Sequence, residues 1–380
     1  MNGLDSQNTQ LDTHRLKSLA PLNSLMDAHL NALSSESDML YRFSGDVLFE
    51  RGQFDKVDYF LLSGELALED AHGNVSIVKS RDCLSAIGSA QPRDLRARVL
   101  GDAKILVVDR ERLDELLDWS QSAEYLLVDL AGQRQRDEDA AWLETVLKSN
   151  LFLKVPPTNV EGIFQSLSPL TVSAGDVILR QRELGDCCYF IKEGEAEVTR
   201  EHGSESSVVA TIGAGRCFGE DALIQQTVRN ATVTMRTDGV LLVLQKQDFL
   251  PLLKPRLVPG VSLVEVASYG SDVTLLDVRT DDEYAQGHLE ASVNMPLHLL
   301  YVKHRLLNGD RRYVTYCGTG RRSASACFFL SKLGYNVSVL EGGVNSILEA
   351  EMPEMTRRDY ILRDGEVVEG VEAQAKLADR

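Results

Sequence analysis

The sequence predicts a multidomain chain: two small antiparallel β-barrels with flanking helices, one after the other, and then an α/β unit. Three observations predict it. Gly45-Asp46-Val47-Leu48-Phe49 returns as Gly175-Asp176-Val177-Ile178-Leu179, and Tyr59-Phe60 with Gly64-Glu65 returns as Tyr189-Phe190 with Gly194-Glu195, every matched pair 130 positions apart. The repeated stretch consists of short segments rich in Val, Ile, Leu, Phe and Tyr, parted by Gly-Asp turns, which is the pattern of paired strands. Further on, Arg312–Tyr316 alternates as a strand and runs into Cys317-Gly318-Thr319-Gly320-Arg321-Arg322, after which an apolar run reads as a helix.

Composition bounds the function. A length of 380 residues predicts two or three domains, each able to bury a core, and 43% hydrophobic with 26% charged residues is that of an ordinary globular chain. The net charge of −17 argues against nucleic acid, whose phosphates require concentrated Lys and Arg, and against anionic membrane surfaces. Met1–Lys17 is polar, so no leader peptide is expected, and no apolar run approaches a membrane span. The six cysteines (83, 187, 188, 217, 317 and 327) have no metal-ligand spacing, so no metal is expected, and their sparse use fits a reducing cytoplasm.

In chain order, Leu16–Leu33 reads as a helical lead-in to the first barrel. Arg110 to about Lys148 is helical in composition with one interruption at Gly132, and Asn150–Leu167 leads into the second barrel. Cys187 and Cys188 fall on a buried strand and read as core. The stretch Gln247–Gly260 holds three prolines and excludes a long helix, so the dimerisation helix and helix-turn-helix of a transcription factor have no place after the second barrel. A short, proline-stiffened junction limits independent motion of its neighbours. Thr356–Arg380 carries a hairpin signal at Asp364-Gly365. The expected domains are residues 1–145, 146–257 and 258–355, with a tail at 356–380.

The second barrel carries a ligand signal in Phe218-Gly219-Glu220-Asp221-Ala222, followed nine positions after Glu220 by Arg229-Asn230-Ala231. A short helix opening at Gly219 offers amides to an anion, the glycine lets backbone approach closely, and the arginine is a charged fork for phosphate oxygens. These residues resemble the phosphate-binding cassette of cyclic-nucleotide-binding domains. The resemblance implies a jelly-roll-like barrel, with Gly219, Glu220, Ala222, Arg229, Asn230 and Ala231 at the nucleotide and Glu220 on the ribose 2′-hydroxyl. Val228 stands where the family usually has proline, and Asn230 where cyclic-AMP binders carry a small residue and cyclic-GMP binders a threonine. Family frequency favours cAMP over cGMP. In the first copy, Leu95 is taken as the counterpart of Arg229, no glutamate matches Glu220, and Arg93, Arg96 and Arg98 read as decoration of a solvated loop. That copy is expected not to bind, and to serve as a scaffold or in a homodimer.

Cys317 at a strand end, followed by glycine-rich backbone, a helix N-terminus and two arginines, is an arrangement that lowers a thiol pKa and makes the sulfur nucleophilic. With Leu275-Leu276-Asp277-Val278-Arg279, Glu283-Tyr284 through Gly287-His288 to Pro296, and Leu340-Glu341-Gly342-Gly343, this loop resembles a rhodanese, over residues 262–352. Ile347 stands where the family usually has tryptophan. The resemblance implies a parallel-sheet α/β domain and sulfur transfer from thiosulfate or another sulfane-sulfur donor to a thiol or cyanide, through a persulfide on Cys317. Gly318, Thr319, Gly320, Arg321 and Arg322 would form its cradle, with Arg321 or Arg322 drawing in the anionic donor, and Asp277 and Arg279 would brace the loop. Arg322 lies five positions after Cys317; phosphatase-like loops place the arginine one position later, so the shorter loop suits one sulfur atom. His288 reads as a structural hydrogen-bonding residue. The combined expectation is a nucleotide-responsive sulfurtransferase; the alternative is a non-catalytic sensor whose rhodanese domain docks a partner or carries sulfur.

Overall fold

The computed structural model describes residues 13–133, 147, 154–202, 205–346, 355–363 and 366–370. Ile347, the Asp364-Gly365 turn and most of the stretch between Gln133 and Lys154 lie outside these residues. Close contacts sort the chain into two units, Met1–Gln121 with Val258–Arg380, and Ser122–Leu257. The first barrel and the α/β domain therefore belong to one unit and the second barrel to the other.

In the first barrel, β1 (Asp38–Arg42), β2 (Val47–Phe49), β3 (Val57–Ser63), β4 (Glu65–Glu69), β5 (Val75–Lys79), β6 (Arg96–Val99) and β7 (Ala103–Asp109) form two antiparallel sheets, ordered β1-β7-β3 and β2-β6-β4-β5. Alternation puts Phe49, Leu61, Leu66, Ala97, Val99 and Ile105 into one core between them. The lead-in is broken rather than continuous: helices Thr13–Leu16 and Asp27–Glu36 flank Pro21 and a single turn at Leu22–Ser24. The connecting helix Arg110–Gln133 leaves β7 directly. Ser120 Oγ on it accepts from Met26 N at 3.1 Å and meets His29 Nδ1 at 2.8 Å, which fixes the helix to the lead-in. Burial pushes His29 down to about 4, so this contact is between neutral groups.

The second barrel repeats the plan. Its strands are β8 (Ser168–Val172), β9 (Val177–Leu179), β10 (Cys187–Glu193), β11 (Ala196–His202), β12 (Glu205–Ile212), β13 (Cys217–Phe218), β14 (Thr232–Met235) and β15 (Gly239–Gln245), in sheets β13-β10-β15-β8 and β12-β11-β14-β9. Cys187 and Cys188 are buried on β10, as their apolar neighbours predict. The short helix Lys246–Leu252 ends the barrel with Pro251 inside it.

In the α/β domain, β16 (Gly260–Val261), β17 (Val273–Asp277), β18 (His288–Leu289), β19 (Ser292–Asn294), β20 (Arg312–Tyr316) and β21 (Asn336–Leu340) include a five-stranded sheet ordered β16-β21-β20-β17-β19, parallel throughout. Its central strands are buried along most of their length, Thr274 and Thr315 included, as befits parallel strands with covered faces. Two helices start with reciprocal caps, Ser262 with Glu265 and Thr280 with Glu283. β22 (Met355–Thr356) pairs with β18, and β23 (Tyr360–Arg363) pairs with β24 (Glu366–Glu369) on either side of the expected turn.

Candidate functional site

The cassette of the second barrel begins where β13 ends. Gly219 has φ +87°, which only glycine adopts without strain, and a Cβ there would stand 2.9 Å from Arg229 Nη1. The short helix Glu220–Ile224 follows. Arg229 is 3% exposed; its Nη1 donates to Gly219 O and its Nη2 to Cys187 O, both at 2.7 Å, with Asp186 Oδ1 at 3.3 Å. Two carbonyls orient this guanidinium without neutralising it, and its carboxylate neighbour is solvent-facing. Glu220 is buried, and desolvation holds its carboxyl above the usual range. Ala222 and Ala231 are buried beside these groups and Asn230 is exposed. One residue escaped the sequence reading: Lys154, whose Nζ lies 2.7 Å from Asp221 and 3.5 Å from Glu220. It lies fourteen positions before the barrel's first strand, and no spacing rule points to it.

The first barrel requires a correction. Arg93, not Leu95, is the counterpart of Arg229. Arg182 N donates to Arg229 O and Arg229 N to Glu183 O; in the first copy Gly52 N donates to Arg93 O and Arg93 N to Gln53 O, and Gly52 and Gln53 precede Arg182 and Glu183 by 130 positions. Arg93 Nη1 likewise donates to Gly88 O, as Arg229 does to Gly219 O. The first copy spans five positions from Gly88 to Arg93 where the second spans ten, so the cassette helix and its glutamate are missing and alignment by spacing slips. Nor is Arg93 on a solvated loop. It is 1% exposed, lies over the Phe49 and Tyr59 rings at 4.7 and 5.0 Å, and pairs with Asp55 at 2.5 Å. Asp55 stands where the second barrel has Gly185, so an internal carboxylate satisfies this arginine.

The sulfur loop connects β20 to the loop helix Arg321–Lys332 through Gly320 at φ +97°. Gly320 N donates to Cys317 Sγ at 3.1 Å, and Ser323 Oγ lies 3.6 Å from it. The loop is held from behind by Val344 N on Cys317 O and Asn345 N on Gly318 O. Buried Asp277 and the partly exposed Arg279 pair at 2.6 Å at the end of β17, with Arg279 also donating to Gly287 O. His288 has both ring nitrogens against carbonyls, Tyr284 O at 2.8 Å and Arg358 O at 2.7 Å, so it holds backbone together. Cys327 is buried in the loop helix, its Sγ 3.5 Å from Val337 O.

Two expectations are reversed here. Arg322 does not face a donor: it is 2% exposed, its Nη1 and Nη2 each lie 2.7 Å from Glu283, and its Nε lies 2.5 Å from Asp114. Arg321 is exposed at the start of the loop helix. Nor is the thiol pKa lowered. Cys317 is fully buried, and desolvation, then the Asp114 carboxylate beside it, push the thiol up to about 12 against the opposing effect of Arg322. Asp114 belongs to the connecting helix of the first barrel, 203 positions before Cys317, and no local signal marks it. A cavity of about 550 Å³ adjoins the loop, lined by Ser89 and Gln91 of the first barrel and by Gly318, Thr319 and Asn345. The remnant of the first cassette thus faces the sulfur loop. Among the described residues no cluster of His, Cys, Asp and Glu has the arrangement of a metal site, and no helix is long and apolar enough to cross a membrane.

A barrel with a phosphate-type cassette, joined to a parallel α/β domain with a cysteine loop, defines the class. A cyclic nucleotide-binding domain matches residues 169–256 and a rhodanese-like domain residues 265–350. Over 90 residues the chain is 41% identical to the cAMP-dependent protein kinase regulatory subunit of Yarrowia lipolytica, covering 24% of this chain and 24% of that protein. It is 39% identical over 117 residues to a cyclic nucleotide-gated potassium channel of Rhizobium etli, 30% of this chain and 31% of the channel. A sulfurtransferase of Allochromatium vinosum is 40% identical over 74 residues, 19% of this chain and 69% of that protein. The chain spans about a quarter of the kinase subunit it matches. It belongs to the rhodanese-like family, its rhodanese-like domain fused to a cyclic nucleotide-binding domain.

Proposed function

We propose that the chain is a sulfur-transfer protein that responds to a cyclic nucleotide, cAMP in preference to cGMP. The observation that carries the sulfur reading is the Cys317 cradle, with the Gly320 amide 3.1 Å from the sulfur at the opening of the loop helix. The Cys317 thiolate attacks the outer sulfur of a sulfane donor. A sulfur–sulfur bond forms at Cys317, the donor's own bond to that sulfur breaks, and the leaving group (sulfite, from thiosulfate) takes the electron pair. A thiolate or cyanide acceptor then attacks the outer sulfur and returns the Cys317 thiolate.

The nucleotide would lie at the second barrel, its phosphate on Arg229 and the Gly219 turn and its ribose on Glu220. The preference for cAMP is supported by the kinase regulatory subunit among the relatives. The first barrel, whose Arg93 is already paired, takes no nucleotide in this reading. Arg229→Ala tests the assignment: cAMP affinity by calorimetry is expected to fall about 10- to 100-fold, the size of losing a charged hydrogen-bonded contact, with sulfur transfer without nucleotide unchanged. Unaltered affinity would place the nucleotide elsewhere.

A second reading has its own observation. Full burial and a raised pKa at Cys317 favour a domain that carries sulfur or docks a partner without fast turnover. Sulfur bound to Cys317 from a sulfane donor but never passed to cyanide would select it.

A further inference from the structure

The surroundings of Cys317 extend beyond the rhodanese-like domain. Asp114, 3% exposed, comes from the helix that follows the first barrel. Its Oδ1 takes Arg322 Nε at 2.5 Å; its Oδ2 accepts from the Thr319 hydroxyl and lies 3.8 Å from Cys317 Sγ. Arg322 meets Glu283 with its other two nitrogens. One guanidinium thus faces two carboxylates, and these three groups together carry an excess of one negative charge. Arg279, on the wall of the same cavity, is likewise bound to Asp277.

We propose that Asp114 is a specificity-determining residue of the sulfur site, placed there by the first barrel's helix. Its carboxylate keeps doubly charged donors such as thiosulfate from Cys317 and leaves the site to donors uncharged at the transferred sulfur, namely protonated organic persulfides. This rests on the reading of Cys317 as a sulfur carrier. The physical reason is repulsion between like charges in a place where little water screens them, and specificity of this kind is built by opposing the wrong partner. The bonds from Thr319 and Arg322 hold the carboxylate where it acts. For an organic persulfide, the Cys317 thiolate attacks the terminal sulfur, a bond forms between the two, and the bond to the organic sulfur breaks. The organic thiolate leaves with the electron pair, and the proton stays on the transferred sulfur.

Asp114→Asn in the full chain keeps the side chain's size and removes its charge. Alkylation of Cys317 is followed by peptide mass spectrometry with iodoacetate, an anion, and iodoacetamide, which is neutral. Both reagents consume the same thiolate, so the ratio of their rates cancels changes in thiolate content and in access and leaves the charge effect. The ratio of iodoacetate to iodoacetamide is expected to rise about tenfold in the variant, the order of one close, partly screened charge pair. Sulfur loading from thiosulfate should rise to a similar degree relative to loading from cysteamine persulfide. A ratio within about twofold of the original overturns the proposal, since removing a close charge must move it. Asp114→Ser provides the same comparison if Asn yields no folded protein. A shifted ratio with no sulfur loading from either donor rejects Cys317 as a sulfur carrier and leaves the charge role standing; loading with an unshifted ratio does the reverse.

Discussion

Cys317 and Arg322 show what a single residue can hide from its neighbours in sequence. Each stands in the position its motif requires, yet each has its chemistry set by a partner far along the chain. With the thiol pushed up to about 12, the rate of Cys317 alkylation by iodoacetamide should climb steadily with pH past the usual range of free thiols. A plateau near neutrality would mean that the sulfur is already ionised. Glu283 behaves oppositely. Against a burial that would raise it, Arg322 holds its carboxyl down to about 2 from an ordinary 4.5. Its folded pKa lies below its unfolded one, so the stability it contributes is complete above about pH 4.5 and is lost as pH falls toward 2. Glu283→Gln should therefore destabilise the protein by about 3–5 kcal/mol near neutrality, and urea unfolding curves of the two proteins should converge in acid. A gap that persists at low pH would assign the effect to shape instead of charge.

At the scale of elements, alternation and glycine-bounded turns identified the barrels, the strand Arg312–Tyr316 and the helix after Cys317, because these signals are local. Spacing misplaces Arg93 because the first copy has no cassette helix, which shifts the register between the copies; the backbone hydrogen bonds restore it. Asp114 and Lys154 were invisible for another reason: each reaches its site by tertiary packing, with no periodicity or spacing to betray it. The Gly342-Gly343 turn matches a family mark, and its physical need is specific. At Gly343, φ is +63° and a Cβ would fall 2.5 Å from Cys317 O and Gly318 O. Gly343→Ala is expected to cost about 3 kcal/mol, from overpacking against backbone. The urea concentration at which Cys317 becomes freely alkylated should fall accordingly. Gly309→Ala, with nothing within 4 Å of its Cβ, is the control and should not shift that midpoint.

For the whole molecule, the contacts group the first barrel with the rhodanese-like domain, although the two are far apart in sequence. A reading from chain order alone couples the second barrel to the sulfur loop through the short junction at 247–260. The structure adds a role for the first barrel, which supplies Asp114 and one wall of the cavity at the loop. The segment Ser85–Leu95, where the first copy has no cassette helix, is also a part of the first barrel that lines this cavity. Whether Cys317 carries sulfur can be read by intact-protein mass spectrometry after incubation with a sulfane donor. Thiosulfate and cysteamine persulfide are tried in turn, each with and without cAMP. One added sulfur atom is expected on the native chain, removed by cyanide and absent from Cys317→Ser, with an extent that changes with cAMP. No added sulfur from either donor, or the same addition to Cys317→Ser, would contradict sulfur carriage by Cys317.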